Sequence, residues 1–476
     1  MHRLTMKFLI ILSSLLWPLM AVAGLQSQGR WLVDDSNRVV MLHGMNVVWK
    51  QAPYIPPNTL AGFTSADADW LSAQGFNSVR LGVLFSGVMP QQGVIDNNYL
   101  NNVDRIVQLL AARNIYVLLD FHQDLFNEKF KGEGLPSWAV YDDGLPNWIN
   151  PGFPLGYLLP NVQLTYYHLY TNYNNIWSYY QQALQAVAAK WQNQSNLQGY
   201  EIINEPPPGF VFALCYLSNG CQDFDANYLQ PFETAMQEGI RQVDPNGMIW
   251  IEPNVLFDFG VPSYLNTSNP VSDNYNIGLS WHNYCMQSDI AQMLGVPTPS
   301  NCINPETTVF NNANATSSSM NASSFMSEFG SGNDLSDIGR VANLADQNLM
   351  GWDYWAYKSF NDPTGAAGTE GLFANDSDLS SVNQGKLALL SRTYPQATAG
   401  IPQSLSFDTN SGAFSYTYTP QQASAPTQIF VPQIHYPNGY SVTVSGGTVL
   451  SAPNATLLLI QNDPSASSVQ VSITAL

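Results

Sequence analysis

Leu197-Gln-Gly-Tyr-Glu-Ile-Ile-Asn-Glu-Pro206 reads as a short apolar strand that runs out at Asn204-Glu205-Pro206. Tyr200, Ile202 and Asn204 fall on one face of such a strand, and Pro206, which has no amide proton to give a ladder, ends it. Ser324-Phe-Met-Ser-Glu-Phe-Gly330 repeats the design, with a second carboxylate, Glu328, near the end of an apolar strand. Two glutamates at the ends of separate buried strands meet the demands of glycosidic bond cleavage, which needs a proton donor and an anion. A lone strand-end glutamate is more often a capping or solvated residue, so the pair takes its meaning from the surrounding chain.

Outward from this stretch the chain alternates short apolar strands with amphipathic helices, the signature of βα units on a parallel sheet. Strands are predicted at 39–46, 78–84, 115–122, 197–206, 248–253, 277–284, 324–330 and 350–357. Thr64-Ser-Ala-Asp67 opens a helix carrying Trp70 and Leu71, with Gly75 as its stop. Leu100, Val103, Val107 and Leu110 mark the next helix, 176–192 another, and Ile338, Val341, Ala345 and Leu349 one face of a later one. Eight strands with helices between them predict an α/β fold, a (β/α)8 barrel, in which the strands' carboxyl ends carry the chemistry.

Residues 125–175 form a long, aromatic-rich insertion, which either packs over the barrel mouth or lines a groove for sugar rings and lipid tails. The composition shifts at 395–402, and beyond it short alternating runs broken by Pro, Gly and Asn predict a small antiparallel β-sandwich. The division is therefore 1–23, 24–398 for the barrel and 399–476 for the sandwich. Tyr416, Tyr418, Tyr436 and Tyr440 would suit a carbohydrate-binding sandwich, whereas a fixed structural partner of the barrel needs none of them exposed.

Across 476 residues the apolar fraction is 45%, enough for a large core, while charged residues make up only 11%. The net charge of −19 excludes nucleic acid as a partner and disfavours adhesion to an anionic membrane. Residues 1–23 read as a secretory signal: Arg3 and Lys7, the apolar run from Phe8 to Met20, then Ala21-Val-Ala23. The run is too short and too broken for a membrane anchor. A secreted protein, extracellular or periplasmic, is expected to close Cys215–Cys221 and Cys285–Cys302 as local disulfides; zinc is the rival, and the spacings lack its regularity.

The motifs in order are Met41-Leu-His-Gly-Met-Asn46, Asp120-Phe-His-Gln-Asp124, Asn204-Glu-Pro206, His282-Asn-Tyr284, Ser327-Glu-Phe-Gly330 and Trp355. With Ile429-Phe-Val-Pro-Gln-Ile-His-Tyr-Pro-Asn-Gly-Tyr440 in the sandwich, the chain resembles the family 5 glycoside hydrolases, and among them the endoglycoceramidases. The resemblance covers nearly all of the chain beyond residue 23 and implies a retaining mechanism. Glu328 would be the nucleophile and Glu205 the acid/base, their carboxyls roughly 5–5.5 Å apart. Arg80 would keep Glu328 ionised or, more plainly, tie strands together by ion pairing. Tyr284 would donate to Glu328, Asn204 would bind the sugar 2-hydroxyl, and His282 would join the network around the nucleophile. Lys50, His122 and Asp124 would meet sugar hydroxyls, and Trp355 and Trp177 would offer platforms for sugar faces. His43 and Trp352 read as core. No cofactor is expected. His122 and Asp124 lack an evident third metal ligand, and the chemistry needs no metal.

The resemblance further implies a glycosphingolipid substrate, met by a monomer at a membrane or micelle surface and cut between oligosaccharide and ceramide. The rivals are an exo-acting glucosylceramidase or family 5 β-glucanase, and an inactive barrel that only binds glycolipid. The apolar run Pro207-Pro-Gly-Phe210-Val-Phe212 and the Cys215–Cys221 loop follow the acid/base directly, as a wall beside the leaving group would.

Overall fold

The computed structural model describes residues 24–217, 220–266, 276–285, 302–365 and 368–476; the leader read at 1–23 lies outside them. Three short strands come first, β1 (Gln26–Gln28), β2 (Trp31–Val33) and β3 (Val39–Val40). Eight parallel strands then close a barrel in chain order: β4 (His43–Val47), β5 (Ser78–Gly82), β6 (Tyr116–Asp120), β7 (Leu197–Glu201), β8 (Ile249–Ile251), β9 (Ile277–Asn283), β10 (Ser323–Phe329) and β11 (Gly351–Tyr354). The expected (β/α)8 barrel is present, with each strand shorter than or shifted from its predicted span.

Two strand readings are corrected. The run predicted as one strand at 39–46 is two: Val39–Val40 pairs with residues 397–398, and only His43–Val47 enters the barrel. Strand β7 stops at Glu201, so strict alternation does not carry Tyr200 and Asn204 to one face. The Tyr200 hydroxyl turns outward to Asp244 and the carbonyl of Ala188, whereas Asn204 meets Arg80 inside the barrel.

The helices form where apolar spacing and caps agree. Asn97–Ala111 buries Tyr99, Leu100, Val103, Ile106, Val107 and Leu110. Asp96 accepts from the amides of Asn98 and Tyr99, a cap worth about 1 kcal/mol. In the helix Ser65–Ala73 the amide of Thr64 donates to Asp67, completing the predicted start. The helix Leu335–Asn348 ends one residue early: Leu349 is its left-handed cap, at φ 55°, and leaves the apolar face to Ile338, Val341 and Ala345. Below the barrel, Leu25, Leu32, Val40 and Leu42 close over Leu118, Trp250 and Phe325. Trp250 fits there because a Cβ on Gly278 would stand 2.3 Å from its ring.

The sandwich comprises β12 (Tyr394–Thr398), β13 (Gly400–Phe407), β14 (Phe414–Pro420), β15 (Thr427–Phe430), β16 (Tyr440–Ser445), β17 (Gly447–Val449), β18 (Leu457–Asn462) and β19 (Val469–Ala475). One sheet is β13-β14-β19-β16 and the other β1-β2-β3-β12-β15-β18-β17. The first strands of the chain therefore complete a sheet assigned in sequence to its end alone. The non-local pairing of Val40 with Ala397 leaves no local mark in the sequence. The two domains lock through His43, stacked between Trp352 at 4.3 Å and Tyr394 at 3.7 Å, and through the buried ion pair of Arg392 and Asp346. Tyr416, Tyr418, Tyr436 and Tyr440 are all buried in the sandwich, so they offer no platforms to a glycan.

Cys215–Cys221 and Cys285–Cys302 are bonded, with Cα atoms 4.7 and 5.6 Å apart. In the insertion Tyr157, Tyr166 and Tyr170 are buried and packed on the core, while Trp148 and Ile149 stand 90% and 83% exposed. Among the described residues no helix is long and apolar enough to cross a membrane.

Candidate active site

Strand-end side chains converge inside the barrel mouth around the fully buried Arg80 of β5. Its Nη1 donates to Glu328 Oε1 at 2.5 Å and Asn46 Oδ1 at 3.1 Å, its Nε to Glu201 Oε2 at 2.5 Å, and its Nη2 to Asn204 Oδ1 at 2.7 Å. Asp120 lies 3.2 Å from Nη2. Arg80 thus contacts Glu328 and ties β4, β5, β6, β7 and β10 together. A buried guanidinium facing three carboxylates is tolerable because its fork of donors is filled.

Glu328 takes its place through a register shift between Met326 and Glu328 on β10 against β9. Such a bulge re-aims the next side chain. Asn46 Nδ2 donates to the Ser327 carbonyl at 2.8 Å, and Tyr284 Oη donates to Glu328 Oε2 at 2.8 Å.

Glu205 sits just past β7 at φ 41°, a left-handed conformation that a non-glycine residue adopts at a cost of roughly 1–3 kcal/mol. Gln123 holds the segment from both sides: its amide donates to the Asn204 carbonyl at 2.7 Å, and its own carbonyl accepts from Asn204 Nδ2 at 3.0 Å. Tyr166 from the insertion donates to the Gln123 side chain, so the insertion braces the Asn204-Glu205 segment. His282 Nδ1 is 2.8 Å from Glu205 Oε1 and 3.5 Å from Glu328 Oε2. One ring nitrogen between them brings these two oxygens within about 6 Å of each other, on the same side of the barrel mouth, near the roughly 5–5.5 Å carboxyl separation of a nucleophile and acid/base pair.

Burial, then the negative charge of Asp124, push the Glu205 carboxyl up to about 7. Burial raises Glu201 to about 7 as well, against the pull of Arg80. Burial outweighs Glu328 at His282 and lowers its imidazole to about 3, so the ring is neutral at pH 7. At His122 burial opposes the charge, yet Asp120 at 2.7 Å raises the ring to about 9.

His122, Asp124, Lys50 and Trp355 form a second group beside the pair. The Trp355 ring stacks on His122 at 5.5 Å and lies 4.5 Å from Lys50 Nζ. Two expectations change here. Lys50 Nζ meets Asp124 Oδ2 at 2.6 Å, Thr364 Oγ1 at 2.7 Å and Asp362 Oδ2 at 3.0 Å. An ammonium has three protons, so Lys50 fixes Asp124 and has none left for a sugar hydroxyl. Trp177 lies apart from the group: its indole donates to the Leu169 carbonyl at 2.6 Å and its ring packs 6.0 Å from Phe232, so it supports the insertion and offers no sugar platform. Tight helical packing at the insertion's end claimed its donor.

A third potential ligand, Glu133, does stand beside His122 and Asp124, close enough for the three to share a cation. The Lys50 ammonium, 3.7 Å from Glu133, already fills that place. Sequence reading also missed Asp120, Glu201, Glu252 and Asp258. Asp120, Glu201 and Glu252 share a signal, a carboxylate at or just past the end of an apolar strand, whereas Asp258 lies in a turn beyond β8.

Residues 33–361 match the cellulase family, glycosyl hydrolase family 5, and residues 392–474 match the glycoside hydrolase family 5 C-terminal domain. The chain is 36% identical to endoglycoceramidase I of Rhodococcus hoagii, over 94% of this chain and 88% of that protein. It is similar to endoglycoceramidase II of Rhodococcus sp. in its ganglioside GM3 complex, with 25% identity, a TM-score of 0.79, and 94% and 100% of the two chains covered. The lactosyl-enzyme intermediate of that same protein superposes with 26% identity and a TM-score of 0.77 over 94% and 99% of the chains.

Proposed function

The chain belongs to glycosyl hydrolase family 5, and from that premise we propose that it is an exported endoglycoceramidase that hydrolyses the β-linkage between glycan and ceramide with retention. In the first step Glu328 attacks the anomeric carbon, the bond to the ceramide oxygen breaks, and Glu205 gives its proton to that oxygen. In the second, Glu205 takes a proton from water, the water oxygen attacks the same carbon, and the Glu328 carboxylate is released. The observation that carries this reading is His282 Nδ1 standing between Glu205 and Glu328, at 2.8 and 3.5 Å. A proton-bearing acid at about 7 beside a carboxylate that receives Arg80 and Tyr284 is the division of labour the two steps need. The lactosyl-enzyme intermediate of the Rhodococcus sp. protein supports the same course.

The ceramide side is supported by exposed apolar groups next to the acid/base. Phe210, Leu214 and Tyr216 follow Pro206-Pro-Pro-Gly209, and Phe210 lies 6.3 Å from Tyr167 of the insertion. Phe212 is half-buried against the core, which leaves Phe210 as the better probe. With Trp148 and Ile149 these groups would meet a membrane or micelle bearing the lipid. Export by residues 1–23 is supported by the two closed disulfides, which persist in oxidising compartments. The deciding experiment is product analysis with lactosylceramide. Lactose and ceramide are expected; galactose as first product would make the enzyme exo-acting, and no product would leave only a binding barrel. N-terminal sequencing of protein recovered outside the cell tests cleavage after Ala23.

A further inference from the structure

Behind the acid/base lies a carboxyl that the two chemical steps leave unused. Asp258 follows β8 in the turn Val255–Phe259 and is 1% exposed. Its Oδ1 accepts the main-chain amide of His282 at 3.3 Å, and its carbonyl accepts that of Tyr284 at 3.4 Å. The turn is thereby pinned to the two residues whose side chains contact Glu205 and Glu328. The Asp258 carboxyl, the Glu205 carboxyl and a His282 ring nitrogen lie within 4.8 Å of one another. Asp258 Oδ2 is buried and receives no protein donor. An ionised oxygen in that position would be a buried charge without compensation, whereas a protonated one is a donor with Glu205 beside it.

We propose that Asp258 is a positioning residue kept as a neutral carboxylic acid, whose O–H donates to Glu205 and stabilises the carboxylate left there when the proton passes to the leaving oxygen. This deepens, and rests on, the assignment of Glu205 as acid/base. Burial first, then the negative charges of Glu205 and Glu328, hold Asp258 well above the usual carboxylate range. Glu252, itself driven up by burial, faces Asp258 and Glu205, and Asp124 and Tyr157 face Glu205. The positive groups facing Glu205 are His122, Lys50 and Arg80. His282 is the second donor, because its neutral ring offers Nδ1–H to Glu205 while Nε2 turns to Glu252 at 3.5 Å. Glu205 thus acquires charge between two donors that move no further, and it is ready to act as base in the second step.

The test is a titration of the carboxyl carbons by NMR on the full chain labelled at Glu and Asp, which needs no turnover. Glu205→Gln and Asp258→Asn assign the two signals. Asp258→Ala should move the Glu205 midpoint up by about one pH unit, since a donor to the charged form is lost. Asp258→Asn should leave the midpoint in place, because the amide donates instead. Asp258 itself should carry its proton through pH 7 in the wild type and release it at lower pH in Glu205→Gln. A fall of the Glu205 midpoint in both Asp258 variants would mean a charged Asp258 and would overturn the proposal. An unmoved midpoint in Asp258→Ala would do the same and reduce the residue to scaffolding. Should Asp258→Ala not fold, an ionised Asp258 at pH 7 in the wild type is sufficient to refute it. A chain that titrates as expected but releases nothing from lactosylceramide would count against the proposed function alone.

Discussion

Asn46 Nδ2 reaches across the barrel to the carbonyl of Ser327, 2.8 Å away, while its Oδ1 accepts from Arg80 at 3.1 Å. One amide therefore satisfies the carbonyl at the bulge that aims Glu328 and also steadies the guanidinium that binds it. Asn46→Ala should leave a buried carbonyl and an Arg donor unpaired, at a cost of about 1–3 kcal/mol. Both a lower Tm and a kcat reduced by one to two orders of magnitude are expected. Asn46→Asp should be worse for activity, because it brings a further negative charge to Arg80 and has no donor for Ser327. A wild-type kcat in Asn46→Ala would show that the bulge aims Glu328 unaided.

Activity and stability should both report the proton on Glu205. Its folded value, about 7, lies above the ordinary 4.5, so the folded chain binds the proton more tightly than the unfolded one. Stability from this group is present at low pH and is lost as pH rises from 4.5 through 7. Glu205→Gln removes the liability: its Tm should match wild type near pH 4 and exceed it at pH 8, by at most about 3 kcal/mol of stability. Hydrolysis by the wild type should decline above pH 7 as the acid loses its proton. Parallel melting curves for the two proteins at every pH would contradict the raised value.

The two tryptophans read as platforms should separate cleanly. Trp355→Ala should lower kcat/KM for a short soluble glycoside by about 10- to 100-fold and lower Tm as well, since its ring is buried and faces His122 and Lys50 at the site. Trp177→Ala should lower Tm, by about 2 kcal/mol or more of stability, and leave KM near wild type because only packing is lost. The reverse pattern would restore Trp177 to the binding surface.

Where the domains meet, Gly75 can be neither larger nor differently folded. It ends the first helix at φ 85°, and a Cβ there would stand 2.2 Å from the Phe430 ring of β15. Gly75→Ala should cost about 2 kcal/mol or more, from backbone and clash together. Phe430→Ala alone leaves a cavity, but in the double mutant the clash is gone, so the two losses should add to more than the pair costs. Strict additivity would mean that the contact is open enough to absorb a methyl group.

Much of the site was legible because its chemistry sits at strand ends, where sequence pattern is strongest. Glu205 and Glu328 were placed from apolar runs ending in polar residues, Arg80, Tyr284 and His282 came with the family resemblance, and the barrel brings all five together. Lys50 was misjudged because two of its partners, Asp362 and Thr364, arrive from a loop more than three hundred residues away. Asp258 escaped notice in a turn whose only local feature is its apolar neighbours Val255, Leu256 and Phe257. Trp177 was named a sugar platform through the resemblance alone, beside an insertion, and helix packing decided its direction.

The sheet that joins Val39–Val40 to Tyr394–Thr398 makes the two ends of the protein one another's neighbours. A sandwich grafted from a relative would have to bring its own opening strands with it, since residues 26–40 are as much its property as the barrel's. During folding the outer edge of Val39–Val40 stays unpaired until Tyr394–Thr398 arrives. Chaperone demand during folding, and loss of yield on deleting either of these two strands, should therefore be set by this one seam.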